Sequence, residues 1–193
     1  MTSVVHPEGE AFDAAVHTLA VAFLDDPVIS WLVPDPASRL RFQRGFARYL
    51  LSSGESELCT TADGAAVALW LTVEADEGPD SLDERGREAL RSAFGPAADR
   101  VAHLSEAFAD RHPHGQRHLY LPLIGVLPES RGRGHGGTLL RHKLDSTGLP
   151  AYLEATSARG AGLYERYGFT HVGTPVHLPD GPDVYPMWRP ATG

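Results

Sequence analysis

Residues 131–137 read Arg-Gly-Arg-Gly-His-Gly-Gly, and this turn decides how the chain is interpreted. Residues 119–127 before it are rich in Leu, Ile and Val and predict a strand, while residues 138–144 after it have the three-and-four spacing of one helical face. Glycine permits positive φ and leaves no Cβ between backbone and ligand, so successive N–H groups can converge on an anion at the positive end of the helix dipole. The turn therefore predicts a pyrophosphate site, to which Arg131 and Arg133 add positive charge.

Other interpretations of a glycine-rich turn fit this chain less well. Gly132, Gly134 and Gly137 satisfy the G-x-G-x-x-G dinucleotide fingerprint, and Glu154 follows where a ribose-binding acid is expected. A dinucleotide fold needs further βαβ units, but the last third of the residues after Gly137 predicts strands and turns. A Walker loop would end in Gly-Lys-Ser/Thr, which is missing here, and a simple surface turn rarely needs four glycines.

Two blocks of sequence resemble the GNAT superfamily of N-acetyltransferases. Residues 126–136, Val-Leu-Pro-Glu-Ser-Arg-Gly-Arg-Gly-His-Gly, are similar to the acetyl-CoA signature, Gln/Arg-x-x-Gly-x-Gly/Ala after a strand ending in valine. Residues 163–169, Leu-Tyr-Glu-Arg-Tyr-Gly-Phe, resemble the helix and Gly-Phe turn that follow the fifth strand of the family. The resemblance is strong over 118–172, and shorter stretches resemble bacterial puromycin N-acetyltransferase-like members at 68–71, 150–156 and 185–189.

The resemblance implies that acetyl-CoA is the co-substrate and names the residues that bind it. The backbone of the strand before the signature would bind the pantetheine, with the Val126 N–H polarising the acetyl carbonyl as an oxyanion donor does. Ser157 stands where many members have Asn, and a hydroxyl can replace only one of the hydrogen bonds of an amide. The cofactor-binding residues expected on this basis are Ile124, Gly125, Val126, Arg131, Gly132, Arg133, Gly134, His135, Gly136, Gly137 and Ser157.

Acetyl transfer needs a group that protonates the departing thiolate and, for a basic amine, a group that removes a proton. The resemblance places the general acid at Tyr164, whereas Tyr167 lies one helical turn further on. The general base stays open, because Glu154 ends the strand beside the expected thioester but several other groups qualify. Those alternatives are Asp26, Glu55, Glu57, His118 and Tyr120.

The rest of the chain predicts one α/β domain over residues 1–193. Helices are expected at 11–23, 38–51, 82–94, 96–111, 138–144 and 160–167, and strands at 3–6, 57–61, 65–72, 119–127, 151–155, 169–178 and 183–189. Asp26-Pro27 is expected to end the first helix, and the acidic segment 74–81 is expected to be a mobile loop. Together with the resemblance, this order implies a GNAT-like fold: a mixed, mostly antiparallel twisted sheet flanked by helices, with a splayed central strand pair.

Composition narrows the setting of the protein. The net charge of −8 argues against general electrostatic binding to nucleic acid, and no apolar run approaches the roughly 18 residues that a membrane span needs. The single cysteine, Cys59, cannot form an internal disulfide, and the N-terminus has no secretory signal pattern, so a cytoplasmic protein is expected. His112, His114 and His118 straddle a turn without the spacing of a zinc site, so no metal is expected.

These observations predict an enzyme that moves an acetyl group from acetyl-CoA to a primary amine of a small molecule, by direct attack in a ternary complex. Two alternatives stay open: a non-catalytic acyl-CoA-binding module on the same fold, and an acetyltransferase acting on protein amines. Trp31, Trp70 and Trp188 are candidates for an acceptor pocket, although buried packing is the commoner role of such residues. A monomer and a homodimer are both consistent with the sequence.

Overall fold

The computed structural model describes residues 2–52, 55–76 and 84–192. Its strands are β1 (Val4–Val5), β2 (Glu55–Thr61), β3 (Ala66–Val73), β4 (His118–Val126), β5 (Ala151–Ala155), β6 (Thr170–His171), β7 (Val176–His177) and β8 (Asp183–Arg189). Its α-helices are α1 (Glu10–Ala22), α2 (Pro27–Leu32), α3 (Pro36–Leu51), α4 (Glu84–Phe94), α5 (Ala98–Ala109), α6 (His135–Leu144) and α7 (Ala158–Glu165). Short 3₁₀ turns lie at Gly95–Ala97 and Pro128–Ser130.

The strands form one mixed sheet in the order β1-β2-β3-β4-β5-β8-β6, with β7 paired to β8. Among the paired strands of the described chain, β4 and β5 are parallel and the others antiparallel. The parallel pair is joined at only two positions, Leu119 with Ala151 and Tyr120 with Tyr152, after which the two strands separate. This confirms the GNAT-like mixed sheet and its splayed central strand pair.

A β-bulge in β4 sets which backbone groups face the splay. Leu69 pairs with Leu123 but Leu71 pairs with Tyr120, so the two residues Leu121 and Pro122 oppose one residue of β3. Pro122 has no N–H and cannot donate a hydrogen bond to a neighbouring strand. Proline is tolerated at a bulge, because the regular hydrogen bonding of the sheet is already interrupted there. Because the extra residue shifts the alternation of side chains and N–H groups by one, the half of β4 after the bulge has the opposite orientation to the half before it.

Helices cover both faces of the sheet. On one face, α1 packs over β3 and β4 through a cluster that includes Leu19, Leu69 and Leu123. On the other face, α6 packs over the centre of the sheet, and its Leu139 and Leu140 are fully buried. A third cluster joins α2, α4 and α5 beside the sheet. Across the described residues, no helix has both the length and the apolarity that crossing a bilayer requires.

Most expected elements are present with small shifts of their ends, and two regions differ in detail from the expectation. Asp26-Pro27 begins α2 as well as ending α1: Asp26 caps the new helix by accepting hydrogen bonds from the N–H groups of Val28 (2.9 Å) and Ile29 (3.1 Å), and Pro27 occupies its first turn. The strand expected at 169–178 is two separate strands, β6 and β7. Residues 77–81 of the expected mobile loop lie outside the described residues.

Candidate active site

Two clefts meet at the splayed end of β4 and β5. The splay cleft has a volume of about 650 Å³ and is lined by the end of β4, the turn at 131–137 and α7. The apolar cleft has a volume of about 540 Å³ and is lined by α2, α3, α5 and the middle of the sheet. Residues that line both clefts mark where they join. This junction comprises Phe23, Asp26, Pro122, Glu154 and Thr156.

The end of β4 presents free backbone donors to the splay cleft. The Leu127 N–H bonds to the Ala65 carbonyl on the β3 side, 2.9 Å away. Because the N–H groups of a strand alternate in direction, those of Val126 and Ile124 face the opposite, splayed side. Gly125 between them faces α1, where a Cβ would lie 2.6 Å from the Ala22 Cβ, so a side chain there would force α1 away from the sheet.

The glycine-rich turn leads directly into the N-terminus of α6. Gly134 is the N-cap of this helix with φ +87°, a left-handed conformation that glycine adopts without strain. Arg131 lines the splay cleft, but its guanidinium donates to the Ala22 carbonyl (2.9 Å) and the Val126 carbonyl (3.3 Å), so it ties the turn to α1 and β4. Arg133, the other arginine of the turn, is exposed and lies outside the cleft lining.

The remaining expected cofactor residues lie along the same cleft. Ser157 lines it and caps α7, because its Oγ accepts a hydrogen bond from the Gly160 N–H at 3.1 Å. The cap uses an acceptor lone pair of the hydroxyl and leaves its O–H able to donate. The other members of the expected set that line the splay cleft are Ile124, Gly125, Val126, Gly132, Gly134, His135, Gly136 and Gly137.

Glu154 stands at the junction on β5. The Tyr120 hydroxyl donates to its Oε2 at 2.9 Å, and its Oε1 is buried without a hydrogen bond of ordinary geometry from any described residue. Burial raises the pKa of Glu154 to about 7, against the opposing effect of the Tyr120 and Tyr152 hydroxyls. Burial also raises the pKa of Tyr120 well above its usual value, and the Glu154 charge adds to the effect. Tyr120 therefore stays a hydrogen-bond donor throughout the neutral pH range.

Asp26 is the second carboxylate of the junction. Its Oδ1 caps α2, and its Oδ2 accepts a hydrogen bond from the Thr156 hydroxyl at 2.7 Å. Burial raises the pKa of Asp26, while these hydrogen bonds lower it. Three polar contacts therefore hold the carboxylate in place between the two clefts.

Tyr164 and Tyr167 occupy different environments. Tyr164 lines the splay cleft, and its ring packs edge-on against Phe169 with 6.0 Å between centroids. Burial raises the pKa of Tyr164, and the nearby Asp26 charge raises it further, so the phenol stays protonated. The Tyr167 hydroxyl instead accepts a hydrogen bond from Arg141 at 3.1 Å and lies outside the lining of the cleft.

Comparison with known proteins finds a family model that covers part of this arrangement. The model of the acetyltransferase (GNAT) domain matches residues 99–171, the segment that includes most of α5, β4, the turn, α6, β5 and α7. This match, together with the relatives and solved structures below, supports an acetyltransferase enzyme.

Relatives and solved structures agree with this GNAT assignment. An uncharacterized N-acetyltransferase of Schizosaccharomyces pombe is 23% identical over 190 residues, which cover 85% of this chain and 72% of that protein. The chain resembles the crystal structure of histone acetyltransferase HPA2 and related acetyltransferase from Corynebacterium glutamicum with a TM-score of 0.71 and 28% identity, over 100% of this chain and 98% of the other. Arylalkylamine N-acetyltransferase 2 from Aedes aegypti has the same fold, with a TM-score of 0.65, 15% identity and 97% of each chain covered.

Several of the base candidates expected from the sequence lie away from the junction. Glu57 pairs with Lys143 at 2.5 Å, and Glu55 is exposed, with Arg117 3.8 Å away. His118 is buried, with its Nδ1 2.7 Å from the Gln116 carbonyl. The candidates that the fold does bring together at the junction are Glu154, Asp26 and Tyr120.

One cleft residue was not expected from the sequence. His112 lines the apolar cleft, and its ring packs edge-on against Tyr120 and Tyr152, with 5.0 Å and 4.8 Å between centroids. Its Nε2 is 3.0 Å from Nε2 of His118, and burial lowers the pKa of His112 to about 4. Within the described ranges, His, Cys, Asp and Glu form no group of three or more that could hold a metal ion.

The three tryptophans pack instead of lining either cleft. Trp31 donates its indole N–H to the Pro179 carbonyl at 2.8 Å, and Trp70 is fully buried in the core. Trp188 lies edge-on to His118 at 5.6 Å between centroids. The aromatic residues that line the apolar cleft are phenylalanines and tyrosines, together with His112.

Proposed function

We propose that this GNAT protein transfers an acetyl group from acetyl-CoA to an amine of a small molecule, by direct attack within a ternary complex. The observation that carries the proposal is the junction, where a polar cleft with free backbone donors and an apolar cleft share Glu154 and Asp26. Two substrates bound in separate clefts would meet there, and the shared residues include a carboxylate whose pKa suits proton transfer.

The splay cleft fits acetyl-CoA by the chemistry of its lining. The Ile124 and Val126 N–H groups face the splay, and the turn from Arg131 to Gly137 places backbone N–H groups at the N-terminus of α6, where phosphate oxygens bind favourably. When bound, acetyl-CoA supplies a thioester whose carbonyl carbon is the electrophile. We assign the Val126 N–H as the donor to the carbonyl oxygen, because negative charge develops there during attack.

Glu154 is the proposed general base. A lysine-like amine with a pKa near ~10.4 is neutral at pH 7 only at a cost of roughly 4.6 kcal/mol, so such an acceptor needs a group to take its proton. A general base works best when its pKa is close to the operating pH, and burial gives Glu154 a pKa of about 7. Its unpartnered Oε1 is the atom that would accept the proton, while Tyr120 holds Oε2.

Tyr164 is the proposed general acid. A thiol has a pKa near ~8.5, so a phenol that stays protonated at neutral pH can donate to the departing thiolate. Burial and the Asp26 charge keep Tyr164 in that protonated form. In the balanced reaction, the amine nitrogen bonds to the acetyl carbon and the carbon–sulfur bond breaks. Each proton that the nitrogen loses, one before attack from an ammonium and one after it, goes to Glu154 and from there to solvent. The Tyr164 proton goes to the sulfur, and Tyr164 recovers a proton from solvent.

The narrower resemblance to puromycin N-acetyltransferase-like members stays a prediction, as does the oligomeric state. Arylalkylamine N-acetyltransferase 2, by its name, acts on small amines, and the likeness to it is one of fold. Two alternatives, a protein-amine acceptor and a non-catalytic acyl-CoA-binding role, predict different results in an assay of CoA release.

The test is release of free CoA from acetyl-CoA, followed with a thiol reagent, against a panel of small amines and a lysine-containing peptide. We expect turnover with at least one small amine and a 10²–10⁴-fold lower kcat/KM in Glu154→Gln. Glu8→Gln, at an exposed position in the N-terminal segment, is the matched control and should behave as wild type. Turnover with the peptide alone would favour protein amines, and acetyl-CoA binding without any turnover would favour the non-catalytic module.

A further inference from the structure

Three helices and the sheet wall the apolar cleft. α5 contributes one continuous face, since its lining residues recur at helical spacing: Val101, Leu104, Ser105, Phe108, Ala109 and, just beyond the helix, His112. Val28, Ile29 and Leu32 of α2 form a second wall, and Phe46 and Leu50 of α3 belong to the third. Apolar side chains dominate this lining, so the cleft favours a ligand with an apolar body.

Negative charge in this cleft is confined to one end. Among the described lining residues, the carboxylates are Asp26 and Glu154, and both belong to the junction. The other polar side chains among the described lining residues are the His112 imidazole and the hydroxyls of Tyr49, Thr72, Ser105, Tyr120 and Thr156. A cation at the junction therefore has two carboxylates beside it, whereas a cation deeper in the cleft would be desolvated without a paired charge.

The size of the cleft sets a scale for the ligand. A volume of about 540 Å³ falls within the roughly 300–1,000 Å³ typical of pockets for drug-sized ligands, so the cleft has room for a body much larger than the reacting amine. The buried Glu154 Oε1, which has no hydrogen bond of ordinary geometry from a described residue, fixes which end of such a ligand lies at the junction, because an ammonium or amine N–H would donate to it.

From these observations we infer the class of acceptor, resting on the proposed function: a monoamine whose single amine lies at the junction and whose apolar body fills the cleft along α5. Diamines and polyamines are disfavoured, because their second ammonium group would lie among Leu104, Phe108 and the walls of α2 and α3. The preference for monoamines would then come as much from the free-energy cost of desolvating the second ammonium group as from contacts with the apolar body.

The experiment compares heptylamine with 1,7-diaminoheptane, which differ only in the second ammonium group. Both are assayed by CoA release at saturating acetyl-CoA. The wild-type enzyme should favour heptylamine in kcat/KM by at least about tenfold, because the second ammonium would lose part of its hydration without gaining a paired charge and each 1.4 kcal/mol is tenfold. Similar kcat/KM values for the two amines would overturn the inference.

Ser105 offers a matched pair of variants that report on the end of the cleft away from the junction, where α5 meets solvent. It is exposed, lies on the cleft-facing side of α5 and has no part in the proposed chemistry, so the helix should tolerate a polar replacement. Ser105 is about 10 Å along α5 from the His112 end, at a rise of roughly 1.5 Å per residue. Ser105→Asp supplies the missing negative charge there, and Ser105→Asn supplies the same shape without it.

We expect Ser105→Asp to lower the ratio of kcat/KM for heptylamine to kcat/KM for the diamine at least tenfold, by raising the value for the diamine. Ser105→Asn should leave this ratio near the wild-type value. A preference unchanged by Ser105→Asp would refute the placement of the apolar body along α5. Turnover of a diamine or polyamine without turnover of heptylamine or of any other apolar monoamine would refute the acceptor class and leave the proposed function standing. Absence of turnover with every acceptor, in folded protein that binds acetyl-CoA, would refute the proposed function itself.

Discussion

Removal of the Tyr120 hydroxyl should move the pH dependence of the enzyme in a direction that the structure fixes. This hydroxyl donates to Glu154 Oε2 at 2.9 Å and so stabilises the carboxylate over the neutral acid. Hydrogen bonds to charged groups contribute about 1.5–3 kcal/mol, and 1.36 kcal/mol corresponds to one pKa unit. Tyr120→Phe should therefore raise the pKa of Glu154 from about 7 by roughly one to two units.

The rate should follow the ionised form of Glu154, because a base accepts a proton only when it is deprotonated. In the wild-type enzyme, kcat/KM should rise with pH and level off above about 7. In Tyr120→Phe the same rise should be displaced to a pH higher by roughly one to two units, with the plateau largely kept. The direction of this displacement follows from the hydrogen bond that is lost, because the Tyr120 hydroxyl stabilises the anionic form of Glu154. Its removal should raise the pKa of Glu154 and not lower it.

The assay is a pH–rate profile of CoA release between pH 5.5 and 9.5, run with two amines of different basicity. Ionisation of the acceptor itself produces a second rise in kcat/KM, which shifts with the amine, whereas the Glu154 rise stays fixed. Glu154→Gln should lack the fixed rise. A Tyr120→Phe profile that coincides with wild type would show that Glu154 is not the titrating base, and Asp26 would become the candidate to test.

The remaining predictions concern the splay cleft. Tyr164→Phe should lower kcat by about 10²–10⁴-fold while acetyl-CoA affinity, measured by calorimetry, changes much less; near-normal kcat would assign the proton to water or to Ser157. Gly136→Val places a branched side chain in the cleft lining at the start of α6 and should weaken CoA binding at least tenfold by calorimetry. Gly45→Val, at an exposed position of α3 with open space around it, imposes the same helical penalty and should leave CoA affinity unchanged.

The strand, turn and helix around residues 131–137 were predictable because their signals are local, whereas the splay was implied by the resemblance. The turn at 131–137 has its strand and helix directly beside it, and the resemblance to GNAT proteins supplied the order of strands. The start of α2 was missed, since Asp26-Pro27 ends one helix and caps the next, and a helix of six residues has little propensity of its own. Its stability comes from burial of Val28, Ile29 and Leu32 against α5, about seventy residues away in sequence.

The choice among base candidates depended on contacts that the sequence does not reveal. Glu154 and Asp26 each stand beside ordinary local signals, a strand end and a helix boundary, and such carboxylates are usually solvated. Only the fold makes them neighbours in one buried junction. The sequence predicts no metal site at His112 and gives no other role for it. The spacing of Val101, Leu104 and Phe108 predicts a buried helical face and not the wall of a cleft.

The two clefts are held in register by the carboxylate of Asp26. Glu154 and Thr156 are two residues apart at the end of β5, so their side chains project to the same side of the sheet. Thr156 bonds to Asp26 Oδ2, and Asp26 Oδ1 caps α2, the helix that walls the apolar cleft. One carboxylate therefore links the strand that carries the proposed base to the helix that faces the acceptor. The two oxygens of Asp26 bond to different elements, so displacement of either element would move the wall of the apolar cleft relative to Glu154. Such a displacement would lower the rate of acetyl transfer even where the fold is kept, because the rate depends on precise placement of the reacting groups.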